Sequence, residues 1–325
     1  MKSDGVLAFI VPKSLLFVEN WHSLLFALLG KTRVLVDVEA SFKNVRLEQA
    51  IFVYDTCYTE NFYTACKFID ETWVRKTRIS HSYPEQFQAW ICDVSAEEVQ
   101  LGLNLSQTGT SMRDISKTKR GLPSRKLLKA VGDIPVVEGR NINRYRIDGV
   151  ENFIDSEDLD SSNDIDQFLR QPKVMSQKMI AHVQNPKPHI KIIATIDQTG
   201  DILSLATVVN TVLTDENFTP IFISAILNSE LINWYAHKFI FSSAIRTMNF
   251  DNYYVGKIPI PIVTPEEQQP IVDLAKRIMA AKQENPKICM STEEQKIDEL
   301  VYDLYRLTKP EKKIVKSSIG QHRKS

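Results

Sequence analysis

At 325 residues with 43% hydrophobic side chains, the chain is long enough to bury a sizeable core and to make two or three domains. Its 40 Lys and Arg balance 40 Asp and Glu, so no overall basic excess marks a nucleic-acid binder and only a local segregation of charge could do so. Four cysteines without a C-x-x-C pair, six histidines without zinc spacing, no apolar run of about 18 residues and no signal-peptide pattern point to a cytoplasmic protein with reduced thiols, no zinc site and no membrane span.

Taken in chain order, the first region runs to about residue 111. "GVLAFIVP" places six apolar residues at 6–11, the pattern of a strand buried on both faces, although a buried helix segment shows the same run. Leu15, Leu16, Trp21, Leu24, Leu25 and Leu28 then form a helical stripe ending at Gly30, a residue suited to a left-handed cap. Residues 33–38 (RVLVDV) and 49–54 (QAIFVY) read as strands separated by "EASFKNVRLE". Strand, helix, strand, strand is the closing half of an open α/β sheet with a terminal hairpin. Between residues 58 and 111 one strand is legible, at 87–94.

The second region, about residues 112–263, segregates its charge. Residues 113–148 hold ten Lys or Arg against four Asp or Glu, and residues 151–166 hold seven acids and no base. Residues 167–196 hold five Lys or Arg, His182 and His189, and no acid. Two such basic blocks suit a phosphate-contacting surface; solvated faces of β-structure look the same by count. An amphipathic helix follows at about 220–241, with Thr219 as N-cap and Pro220 at the first helical position. "GKIPIPIV", with Pro259 and Pro261 at alternating positions, reads as an edge strand or extended connector.

The third region is helical. Thr264-Pro265-Glu266-Glu267 and Ser291-Thr292-Glu293-Glu294 both spell capping boxes. Ile271, Leu274, Ala275 and Ile278, then Ile297, Leu300, Val301 and Leu304, make the buried stripes of two antiparallel helices. The basic tail from residue 309 reads as frayed.

A catalytic set is not legible. No G-x-G, no G-x-x-x-x-G-K-[ST] and no G-x-S-x-G occurs in the sequence. The E-x-K strings Glu294-Gln295-Lys296 and Glu311-Lys312-Lys313 lie on or beyond polar helix faces and read as surface charge.

Several strings, in order, carry a resemblance. "GVLAFIVPKSLLFVENWHSLLFALL" followed by "SFKNVRLEQAIFVY" resembles the later half of the catalytic domain of TaqI-like adenine-N6 DNA methyltransferases. "VVEGRNINRYRI", "QPKVMSQKMI", "AILNSELINWYAHKF", "YYVGKIPIPIVTPEEQQPIVDLAKRI" and "KIDELVYDLYRLT" look like the family's C-terminal target-recognition domain, as found in fused restriction–modification enzymes. The resemblance implies an α/β fold class: a partial methyltransferase-like α/β sheet at residues 1–111, a mixed α+β target-recognition domain at 112–263 and a C-terminal helix pair at 264–325. In that family an upstream glycine-rich turn binds S-adenosylmethionine and an Asn-Pro-Pro-Tyr loop grips the target adenine. Neither motif is in this sequence, so no catalytic residue and no cofactor are expected in this chain, S-adenosylmethionine being implied for the complete enzyme. Without those neighbours, the strand at 6–11 is expected to present an apolar edge that a partner covers.

The Phe of "SFKNVRLEQAIFVY" matches a family aromatic that stacks on the flipped-out adenine, which makes Phe42 the candidate base-stacking residue; a Phe capping the sheet core is the alternative. Candidate DNA contacts follow from residue type, since Arg, Lys, Asn and Gln read base edges and cations hold phosphates. They are Lys117, Lys119, Arg120, Arg125 and Lys126 on an expected loop, Arg140, Asn141, Asn143 and Arg144, Lys173 and Lys178, and Arg246, Asn249 and Asn252 on the turn after the long helix. Tyr253 and Tyr254 are expected in the core. The expected function is the DNA sequence-recognition part of an adenine-N6 methyltransferase of a restriction–modification system. Its partners would be double-stranded DNA and a separate methylase or upstream catalytic half. The alternatives are a complete site-specific adenine methyltransferase, a non-catalytic specificity subunit, and a protein-interaction module with no DNA role.

Overall fold

Five strands form the sheet of the first unit in a computed structural model that describes residues 3–41, 47–159, 163–246 and 248–319. The chain divides into two compact units: Met1–Gln107 with Trp234–Met248, and Thr108–Asn233 with Asn249–Ser325. The C-terminal helices cluster with the middle of the chain, and residues 234–248 with the first unit.

The strands of the first unit are β1 (Val6–Pro12), β2 (Thr32–Glu39), β3 (Gln49–Asp55), β4 (Phe62–Ile69) and β5 (Thr72–Ser80), in the order β1-β3-β2-β4-β5. β2 runs parallel to β4 and the other pairs are antiparallel. The register lines Leu35, Phe52 and Ala65 along one face, where each is buried; Trp90 meets Phe52 edge-on at 5.5 Å between ring centroids. β2 and β3 stand where their apolar runs put them. β1 is not buried on both faces but is the apolar edge strand also expected, with Val6 63% and Leu7 45% exposed. An apolar run records what a strand can bury, and β1 has one strand neighbour among the described residues.

The strand expected at 87–94 is absent. Tyr83–Phe87 is helical, and residues 89–94 run through the core without joining a strand, with Asp93 at a left-handed φ of 51°. Side chains and loops satisfy that backbone where a ladder would have done so. Tyr63 Oη donates to Ile91 O (2.9 Å), Ser242 Oγ to Trp90 O (2.5 Å) and Thr77 Oγ1 to Val94 O (2.6 Å), and Trp90 N–H donates to Leu16 O. At one end of the sheet Lys13 is buried; its ammonium lies 2.6 Å from Asp37, donates to Ser243 O at 3.0 Å, and stands 3.8 Å from Glu48.

In the second unit an antiparallel four-stranded sheet runs Ala194–Asp197, Lys173–Gln177, Val208–Leu213, Ser116–Arg120. A three-stranded sheet joins Asn152–Ile154, Ile134–Val137 and Leu203–Ser204. The long helix starts as expected, Thr219 Oγ1 accepting from Phe222 N–H and Pro220 leading. It then breaks at Ser229, resumes over Glu230–Tyr235 and widens into a π turn at Ala236–Ile240. It is buried on nearly every side, not amphipathic. Its Asn228 accepts from Ala194 N–H and donates to Ala194 O, and Asn233 accepts from Ile192 N–H, so the helix covers a sheet edge.

Helix Pro265–Glu284 opens on the expected capping box of Thr264 and Glu267. Helix Ser291–Leu304 does not: Met290 is its N-cap, because Glu294 turns instead to Arg144 (2.8 Å) and Lys282 (3.0 Å). The tail expected to fray forms a third helix, Lys309–Ile319, with Val315 buried and Thr308 and Glu311 capping its start. Pro259–Ile260 is a two-residue strand against Thr110–Ser111, as its prolines require.

Candidate nucleic-acid interface

One end of the four-stranded sheet is set by register: Gln177 lies opposite Val208, and Val209 opposite Arg120. Beyond Gln177 the chain leaves the sheet but stays hydrogen-bonded. Lys178 N–H donates to Thr207 O (3.0 Å), and Phe250 N–H donates to Lys178 O (2.7 Å). Met179 forms an antiparallel bridge with Asn249. Gly139, which opens the turn Gly139–Asn141, donates its N–H to Thr207 Oγ1 (3.0 Å), and a Cβ there would stand 3.0 Å from Thr207 O. Gly139, Arg140, Gln177, Lys178, Met179, Thr207 and Asn249 line a cleft of about 320 Å³.

Of the expected contacts, Arg140, Lys178 and Asn249 meet in this cleft, and Arg120 stands at the same sheet end. The cations there are mostly held by carboxylates. Arg120 pairs with Asp251 at 2.8 Å, Arg125 with Glu138 at 2.5 Å, and Arg140 with Glu138 at 3.6 Å and Glu151 at 3.4 Å. Lys178 has no ion pair among the described residues. Lys117, Lys119 and Arg120 lie on the strand Ser116–Arg120, not on a loop. Lys117 is exposed, and Lys119 sits 5.2 Å above the Phe168 ring. Lys126 is exposed in the following loop, Asn143 is exposed and donates to Asp148 (2.8 Å), and Asn252 is exposed at the start of helix Asn252–Val255.

Three of the expected contacts are engaged within the protein. Asn141 is buried, donating to Asp148 O (2.8 Å) and Gly149 O (2.7 Å) and accepting from Glu138 N–H (2.7 Å), so it shapes the turn and has no amide hydrogen left for a base. Arg144 is committed to Glu294 (2.8 Å) and Asn228 O (2.7 Å). Lys173 is fully buried, paired with Asp197 (2.5 Å) and donating to Leu169 O (2.6 Å). Burial lowers its pKa against the pull of Asp197. Arg246 falls in the first unit, and Asn249 and Asn252 in the second. Phe42 lies outside the described residues. Tyr254 is buried as expected, and Tyr253 is half-buried.

Gln177, Met179 and Thr207 were not legible as site residues. The available signal was "VMSQKM", where strand alternation runs into a basic residue and then an apolar one. Thr207 reaches the cleft through hydrogen bonding that no local pattern announces. The arrangement presents guanidinium, ammonium and carboxamide donors beside a thioether on well-anchored backbone, which can address both phosphates and base edges. Among the described residues no cluster of His, Cys, Asp or Glu could hold a metal ion, and no helix is long and apolar enough to cross a membrane.

Small mixed sheets, a cleft of donors at one sheet end and closing helices make up the second unit. Residues 134–260, which include the whole cleft, match the TaqI-like C-terminal specificity domain. No curated protein matches the chain. The chain is similar in fold to the type IIL restriction-modification enzyme MmeI, solved in complex with DNA, with a TM-score of 0.57 at 12% identity over 98% of this chain and 49% of that one. It also matches the type IIG restriction endonuclease BpuSI (TM-score 0.36, 10% identity, 92% of this chain and 47% of that one). The HsdS subunit from Thermoanaerobacter tengcongensis matches with a TM-score of 0.31 at 11% identity, over 64% of this chain and 50% of that one. The chain spans about half the length of these structures.

Proposed function

We propose that this chain supplies DNA sequence recognition to a restriction–modification system whose modification is adenine-N6 methylation, and that it works in the cytoplasm. The observation that carries the reading is the convergence of Arg140, Lys178 and Asn249 in one cleft inside the segment that matches a specificity domain, with Arg120 at the same sheet end. Double-stranded DNA is the ligand. The four free thiols agree with a reducing compartment.

One observation among the described residues of the first unit supports placing S-adenosylmethionine elsewhere. Asp37, a carboxylate on a β-strand that could take a ribose, is fully buried against Lys13 and accepts Glu39 N–H at 3.1 Å. In this reading the cofactor and the adenine-gripping loop belong to a methylase or catalytic half that works with this chain, and methyl transfer is not routed through the residues described here.

Binding of duplex DNA, followed by gel shift at low and moderate salt, tests recognition; failure to bind at any salt refutes it. Titration calorimetry with S-adenosylmethionine is expected to give no heat of binding. Saturable binding, or methylation of bulk DNA by the purified chain, would make the chain a complete methyltransferase.

A further inference from the structure

The bridge between Met179 and Asn249 differs from the rest of the cleft. Residues directly opposite one another in an antiparallel bridge project side chains to the same side, about 4.5–5.5 Å apart at Cβ. Here both are exposed, Met179 by 59%. Their neighbours Ile180 and Phe250 are buried, and the hydrogen bonds from Phe250 N–H to Lys178 O and from Lys178 N–H to Thr207 O fix the backbone on both sides. The result is a thioether and a carboxamide held side by side on backbone anchored in the core. Lys178 and the exposed guanidinium of Arg140 line the same cleft.

A carboxamide matches adenine, whose major-groove edge offers N7 as acceptor and N6 as donor. An apolar side chain matches the thymine methyl on the edge of the same groove. A lone exposed methionine needs no explanation, but one locked beside an asparagine between cationic neighbours has a use. We infer that Met179 and Asn249 are specificity-determining residues that read an A·T pair, or two adjacent ones, from the major groove, while Lys178 and Arg140 hold phosphates. This inference rests on the DNA-recognition reading above.

The test is selection of a randomised duplex pool by the full chain, followed by affinity measurements on the enriched site. The wild type is expected to enrich a motif containing a defined A·T position. Asn249→Ala should lose about 5- to 150-fold of the discrimination there, the range set by one bidentate base contact. Replacing the thymine by uracil, which removes only the methyl, should weaken the wild type and leave Met179→Ala unaffected. The double variant Lys178→Ala/Arg140→Ala should weaken all sequences alike without changing the motif. Both bridge side chains are exposed, so unchanged thermal unfolding is expected and serves as the folding control. If the wild type enriches no motif, the recognition reading itself fails. If it enriches a motif that Asn249→Ala and Met179→Ala both retain, with uracil sensitivity unchanged in Met179→Ala, recognition stands and this assignment is overturned.

Discussion

Glu138 offers the most discriminating test of how the cleft meets DNA. Its buried carboxylate holds Arg125 at 2.5 Å and also lies 3.6 Å from Arg140, so it occupies two guanidiniums that a phosphate would have to recruit. Glu138→Gln removes the charge and keeps an oxygen able to accept in the capping box with Asn141. Both arginines are largely exposed, and ion pairs of that kind are worth about 0.2–1 kcal/mol each. Releasing two lowers the cost of engaging DNA by about 0.4–2 kcal/mol, or roughly 2- to 30-fold tighter binding. Each additional phosphate contact should also steepen the slope of log K against log salt by about 0.9. Fluorescence anisotropy of a labelled duplex between 50 and 200 mM salt measures both. Weaker binding at every salt concentration, with an unchanged unfolding temperature, would mean that Glu138 orients these arginines for DNA and does not compete with it.

Further outcomes concern stability. Lys173→Ala leaves Asp197 buried without its cation and should cost about 3–5 kcal/mol in denaturant unfolding, while any loss of DNA affinity should track the unfolded fraction. Burial, with the Glu230 carboxylate alongside, pushes Asp298 up to about 8. In the unfolded chain an Asp titrates near 3.9, so between about pH 4 and 8 the folded protein binds the extra proton and this group's contribution to stability falls as pH rises. Asp298→Asn should flatten that decline in a series of thermal melts; an unchanged slope would refute the assignment. Asp93 works in the opposite sense. Its burial is outweighed by Lys238, Lys67 and Arg75, which hold it at about 2. The stability it adds is full above about pH 4 and lost towards 2, and Asp93→Asn should remove that acid-side step. Gly102→Ala would place a Cβ 2.2 Å from the Phe239 ring, an overpacking expected to cost about 1–3 kcal/mol by chemical denaturation.

Local signals were read correctly where the physics is local. Thr219 and Thr264 cap the helices they precede, β2 and β3 form at their apolar runs, and the prolines of "KIPIPIV" keep that segment at an edge. Where a long-range partner competed, local signals failed. The capping box at Ser291 lost its Glu294 to Arg144 and Lys282. The apolar run at 89–94 was buried without joining a ladder, because Tyr63, Thr77 and Ser242 satisfied its carbonyls. β4 and β5 went unread, since the charged and aromatic residues of "CKFIDETWVRKTRIS" mask their alternation.

The same division holds for the site. By its own pattern the sequence determined the mixed α/β class, the segregated basic blocks and the residue types able to read DNA. It could not determine which of those residues are available. Asn141, Arg144 and Lys173 are as basic or amide-bearing as Arg140, Asn249 and Lys178, yet the first three are consumed by Asp148 and Gly149, by Glu294, and by Asp197. Tertiary structure alone decided that. A donor's chemistry belongs to its side chain, but its availability depends on partners brought up from elsewhere in the chain. The cleft likewise joins residues from 139 to 249 through strand register and backbone hydrogen bonds that no local stretch of sequence encodes.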